Sequence, residues 1–168
     1  MAGLRGAARQ AEADGVAALF VSEGVLGDPF VLAAALSVSV PRLLLGVRVV
    51  SPPRGRHPTL LARETTSLDL VCDGRSVLCF TPPFGDELPE AIALCTSMWR
   101  EGTASSTGPA FPVSGAVNRP GPASAESPLV ALDLTDPDHV PVPPGLRRVT
   151  DLLLLPTDDP ALCHLERA

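Results

Sequence analysis

Lysine and tyrosine are both absent from the 168 residues, and tryptophan occurs once. All 13 basic residues are therefore arginine, set against 19 acidic ones, for a formal net charge of −6. A phosphate backbone needs a basic surface, so nucleic acid drops out as the default partner. Five Phe and the single Trp leave the core to aliphatic side chains, and a chain of this length can bury one as a single domain. Long hydrophobic runs are missing too: none approaches the roughly 20 residues that a membrane helix needs. The opening "MAGLRGAARQAEADG" has Glu12 and Asp14 where a signal peptide would carry apolar residues. Cys72, Cys79, Cys95 and Cys163 show no C-x-x-C spacing and no His pairing, and three of them sit in apolar periodic segments. Buried reduced thiols in a cytoplasmic protein are the expectation. A P-loop, a G-x-G-x-x-G and a Ser-His-Asp spacing are all lacking, so triphosphatase, dinucleotide and hydrolase readings have no positive support.

What is present is alternation. A helix over about residues 3–14 stops at Gly15, and "VAALFV" (Val16–Val21) reads as a strand. Asp28 and Pro29 form a helix start, and that helix runs to about Val38. "RLLLGVRVV" from Arg42 is the next strand, followed by a Pro/Gly/Arg-rich loop at residues 51–56. A helix from about Pro58 sets Leu61, Thr65, Leu68 and Cys72 on one face. "SVLCF" (Ser76–Phe80) follows, then a helix from Asp86 to Glu101 with Leu88, Ile92, Cys95 and Trp99 in one stripe. Trp99 at that spacing belongs to the core. The strands are unbroken apolar runs, as strands covered on both faces are. Their spacing predicts βαβ units and a parallel sheet over residues 1–102. Residues 103–127, rich in Pro, Gly, Ser and Ala, are expected to form an excursion without helix. "SPLVALDL" and "TDLLLLP" supply two more strands within 128–156, for about five in all, and residues 157–168 read as a tail.

At this point the residues resemble a family. "AEADGVAALFVSE", "GDPFVLAAALS", "PRLLLGVRVV" and above all "RHPTLLARETTSLDLVCDGR" are similar to the luciferase-like flavin- and deazaflavin-dependent oxidoreductases. Those enzymes carry a strand ending in S-E-H, a D-P helix start, an R-I-x-L-G-T strand and an R-H-P-x-x-L-A-R helix. "FPVSGAVNRPGP" and "VTDLLLLP" resemble later segments of the same family. The resemblance implies a (β/α)8 barrel fold, here an α/β parallel-sheet structure built from an incomplete barrel of about five strands. It also implies monooxygenase or related oxidoreductase chemistry on a small organic substrate, with reduced FMN or a deazaflavin coenzyme. Chemistry on this fold lies at the carboxyl ends of the strands. By position, Glu23 and His57 are then the catalytic candidates, and Ser22, Arg48, Val49 and Thr81 the cofactor-binding ones.

The departures imply a second reading. Gly24 stands where the family has His, and "TPPFG" replaces a Gly-rich turn, deleting N–H donors. The family's first strand and last two βα units, with their phosphate loops, have no counterpart here. A non-catalytic relative acting as an accessory or oligomerising subunit is the alternative, as a homodimer or paired with a full-length relative. Bland alternatives stand beside single residues as well. His57 could be a polar residue at a helix start, and Glu64 a salt-bridge partner for a nearby Arg. Asp133 ends a strand like Glu23, whereas Asp136 could serve only a turn. One His and two Asp in "TDPDH" do not make a metal site, and none is expected.

Overall fold

The computed structural model describes residues 2–24, 27–50, 56–135, 146, 150–156 and 163–167. Helix α1 (Ala2–Ala13) ends ahead of Gly15, whose φ of 81° suits glycine, and leads into β1 (Ala18–Ser22). Asp28 caps α2 (Pro29–Ser37). Its Oδ1 accepts from the N–H of Phe30 at 2.9 Å and of Val31 at 3.1 Å, and Pro29 sits where a helix has no use for an N–H. Next come β2 (Leu44–Val50), α3 (Pro58–Val71), β3 (Ser76–Thr81) and α4 (Leu88–Glu101). Gly102, left-handed at φ 72°, terminates α4. Trp99 is buried, and its indole N–H donates to the Ala62 carbonyl on α3 at 2.9 Å. It is core, as its spacing predicts.

The excursion holds more structure than its composition promised. β4 (Thr103–Ser106) and β5 (Val113–Val117) pair antiparallel as a two-stranded sheet of their own. Side chains on the helices pin this excursion, and periodicity cannot show such contacts. Glu90 of α4 accepts from Ser106 Oγ and from the N–H groups of Ala110 and Phe111. Asn118, buried, donates to Thr66 Oγ1 at 2.9 Å and to the Met98 carbonyl at 3.3 Å. Asp69 of α3 is fully buried and divides its two oxygens. Oδ1 accepts from the N–H and hydroxyl of Ser76, and Oδ2 from the N–H and hydroxyl of Ser124.

β6 (Leu129–Asp133) and β7 (Leu152–Pro156) complete the main sheet, in which β1, β2, β3, β6 and β7 lie side by side in chain order, all parallel. That is the expected α/β architecture, one side of a barrel. The tail differs from expectation: Cys163–Arg167 forms β8, antiparallel to β7, and covers that edge of the parallel sheet. β1, at the other edge, has a strand neighbour on one side only among the described residues.

Alternate residues divide the sheet's two faces. Leu45, Val47, Val49, Phe80, Leu132 and Leu153 belong to the main core with the helices. Val77, Cys79, Ala131 and Leu154 form a smaller buried cluster on the inner face, away from them. Occupation of both faces is why the strands read as unbroken apolar runs. Cys72, Cys79 and Cys95 are buried and unbridged. Burial alone pushes the Cys95 thiol up to about 12, so it is inert as a nucleophile. The side chain of Cys163, and the "TDPDH" segment from Asp136 on, lie outside the described residues. Among the described residues, no helix is long and apolar enough to cross a membrane.

Candidate functional site

Strand direction decides which residues meet. The five parallel strands bring their carboxyl ends to one rim, and the two-residue period sets Ser22, Arg48, Thr81 and Asp133 on the inner face there. Ser22 stands beside Arg48 in register, Arg48 beside Cys79, and Cys79 beside Ala131. Arg48 spans β3 to reach Asp133, with Nε 3.2 Å from Oδ2. Its guanidinium carbon is 5.7 Å from the centroid of the Phe20 ring, within cation–π range. Phe20 in turn lies on Gly46, the residue beside it in register, where a Cβ would fall 2.1 Å from the ring. Asp133 is held from its other oxygen, which accepts from the N–H of Thr135 at 3.0 Å and its hydroxyl at 2.5 Å. Arg48 Nε is buried yet forms no hydrogen bond, so Asp133 meets it as an ion pair without hydrogen-bond alignment.

Val49 is not at the rim. The same period turns its side chain to the helices, where it is 2% exposed in the main core. It contributes only a backbone carbonyl, which accepts from Thr81 Oγ1 at 3.2 Å. His57 caps α3: Nδ1 faces the Thr59 N–H at 3.3 Å and the Thr59 hydroxyl at 2.9 Å. Its ring stands edge-on to Phe111, with centroids 5.6 Å apart. The helix-start alternative describes this placement. Gly24 forms a local bridge with Gly27.

Glu23 belongs to a cluster that sequence reading had not assembled. Arg56, 18% exposed, meets Glu23 (3.2 Å), Asp28 (2.5 Å) and Glu64 (2.7 Å), and its guanidinium carbon is 5.5 Å from the Phe30 centroid. Three carboxylates on one guanidinium tie the β1–α2 connection to the start of α3. Glu64 is thus the salt-bridge partner its helix-flank position implied. Arg56 was visible only as the residue before His57, because its partners lie 8 to 33 positions away in the chain.

The three acids share a partner but not an environment. Burial raises Glu64, and although Arg56 pulls it down, the neighbouring Asp28 and Glu23 charges help keep it above the ordinary glutamate value. Burial also works against Asp28, but the Arg56 bond and the helix N–H groups outweigh it and hold Asp28 below the usual aspartate value. For Arg56, burial favours the neutral form, yet the bonds to Asp28 and Glu64 raise it overall. Linkage then has opposite signs. The depressed Asp28 stabilises the fold above the unfolded aspartate pKa, and that contribution is lost as pH falls through its lower folded value. The raised Glu64 contributes at low pH, and its contribution is lost as pH rises through its folded value. Carboxyl NMR titration should show Glu64 protonating before Asp28 as the solution is acidified. The reverse order would mean that this cluster does not form.

Comparison with known proteins bears directly on this rim. Residues 1–80 match the family model of the luciferase-like monooxygenases. Over those 80 residues the chain is similar to that family. That segment carries Ser22, Arg48 and the Arg56 cluster. Solved structures agree on the fold. Monooxygenase RslO1 from Streptomyces bottropensis is 20% identical with a TM-score of 0.64, over 77% of this chain and 46% of its own. The coenzyme F420 dependent tetrahydromethanopterin reductase from Methanopyrus kandleri is 12% identical with a TM-score of 0.70, over 90% of this chain and 52% of its own. A type II Baeyer-Villiger monooxygenase component from Pseudomonas putida, solved with FMN, is 15% identical with a TM-score of 0.59, over 79% and 46%. The chain therefore spans about half the length of these proteins. No curated protein matches it.

Proposed function

We propose that this chain supplies the ring-binding rim of a luciferase-like oxidoreductase acting on a small organic molecule with reduced FMN or a deazaflavin. The observation that carries the reading is Arg48, which sits at the strand ends within the family-matched segment: its buried Nε is ion-paired with Asp133 without a hydrogen bond, and its side chain stays 26% exposed. The donor set fits an electron-rich ring: Arg48 for its negative edge, with the Ser22 and Thr81 hydroxyls on the same face of the strands. The cofactor would supply the redox chemistry, and the protein supplies position and polarity.

The chain's own part is electrostatic and steric. Arg48 offers positive charge where reduction of the ring adds negative charge, in a site kept partly dry by Phe20. Glu23 is held at the β1 end by Arg56, so it acts through the shape and charge of the rim. Arg56 itself is taken up by three carboxylates, which leaves the Glu23–Asp28–Glu64 group net negative and a poor seat for a phosphate. His57 has its Nδ1 committed to its own helix and lines the rim as a fixed polar residue.

A second reading has its own observation. β1 is an open edge, and beside it an apolar groove of about 560 Å³ runs between α1 and α2, with Ala8, Leu19, Val21 and Leu36 among its walls. An uncovered edge of this kind invites pairing, as an accessory subunit, a homodimer or a partner of a full-length relative would use it. One sample separates the two readings. Titration with FMN and with a deazaflavin coenzyme should quench or shift the cofactor spectrum at micromolar concentration, and no change at high micromolar would end the oxidoreductase reading for this chain. Light scattering on the same sample reads the mass, and a single-chain mass at every concentration would end the homodimer form of the subunit reading.

A further inference from the structure

The Arg48–Asp133 pair is unusual in its reach: it links β2 to β6 across the intervening strand, at the rim, between one residue on the family-matched segment and one beyond it. We propose that Asp133 is a positioning residue that sets the charge of the ring site through Arg48. This rests on the oxidoreductase reading above. Two contacts and one burial support it. Thr135 fixes Asp133 with two hydrogen bonds to Oδ1, which leaves Oδ2 turned to Arg48. Asp133 is only 6% exposed, so its charge acts at low local dielectric and is weakly screened. Phe20, seated on Gly46, limits where the guanidinium can go on the opposite side.

The consequence is a rim whose innermost charges cancel. Arg48 contributes +1 and Asp133 −1, so a bound ring that gains negative charge on reduction meets a cation whose field its neighbour partly offsets. Removing the Asp133 charge unmasks Arg48 and favours the reduced, anionic form of the ring. Removing the Arg48 charge unmasks Asp133 and disfavours it. Asp133→Asn is the informative variant because the amide oxygen can still accept from Thr135, so the turn after β6 is retained.

The test uses the full chain with FMN as probe, reading the reduction potential of the bound cofactor against a reference dye. Asp133→Asn should bind reduced FMN over oxidised FMN more strongly than wild type does, by about tenfold, which is about 30 mV upward for a two-electron couple. Arg48→Gln should move the potential downward, and Arg48→Lys, which keeps the charge, should stay near wild type. A purely structural role would lower affinity in all three variants and leave the potential of the remaining bound FMN alone. FMN binding with the same potential in wild type and Asp133→Asn overturns the proposal while leaving the oxidoreductase reading intact. If wild type binds neither FMN nor a deazaflavin coenzyme, both are overturned; if it binds only the deazaflavin, the same potentials are read on that coenzyme, and an unchanged potential in Asp133→Asn overturns the proposal alone.

Discussion

Asp69→Ala is expected to cost about 3–5 kcal/mol, because it strips the acceptors from two backbone N–H groups and two hydroxyls that are buried or half-buried. A charged acceptor is worth about 1.5–3 kcal/mol per hydrogen bond, and each donor left dry adds its own desolvation penalty. The position joins three segments: α3, the first residue of β3, and the excursion at Ser124. Asp69→Asn keeps one accepting oxygen and turns an amide N–H₂ toward the donors on the other side, so it should lose about half as much. Urea unfolding checks this through a fall in midpoint at unchanged slope. A loss under about 1 kcal/mol for the alanine variant would show that the network is dispensable.

The second large effect is expected at Gly46. A Cβ there would fall 2.1 and 2.2 Å from two ring carbons of Phe20, closer than any real contact. Gly46→Ala should therefore destabilise by about 2–3 kcal/mol through overpacking, since the Phe20 ring also packs against the Arg48 guanidinium and has little room to give. The pair gives the test its sharpness. Phe20→Leu in the same chain should return about 1 kcal/mol or more of that loss, the non-additivity expected of residues in contact. Purely additive losses would place the cost in the β2 backbone and not against the ring. Because Phe20 also bears on the Arg48 guanidinium, the oxidoreductase reading expects Gly46→Ala to weaken FMN binding alongside stability.

These two positions mark the boundary between what could be read and what could not. Gly46 is visible in "RLLLGVRVV" as a glycine inside a strand, a warning of close approach. What approaches it is Phe20, 26 residues earlier, and only the parallel register identifies it. Asp69 lies in the best-matched block of the chain and looks like one more polar residue on a helix. Its partner Ser124 is 55 positions away in a segment whose composition announced no structure. Val49 carries the same lesson in reverse. The end of the strand was legible, but a one-residue step changes the face and moved Val49 into the core while leaving Arg48 at the rim.

The sequence by itself determined the α/β alternation, the five parallel strands, the Asp28 cap, the core role of Trp99 and the luciferase-like character of the first half. All of these follow from periodicity, capping and short contiguous motifs, which act over a few residues. Tertiary structure alone decided that 103–117 forms a hairpin and that the last strand runs antiparallel along β7. It alone decided that Arg56 gathers Glu23, Asp28 and Glu64, and that Arg48 reaches Asp133 across the sheet. The strand pairings join backbones, and the two ion-pair groups need side chains 8 to 85 residues apart brought within 4 Å; one-dimensional pattern holds no record of distance across a sheet.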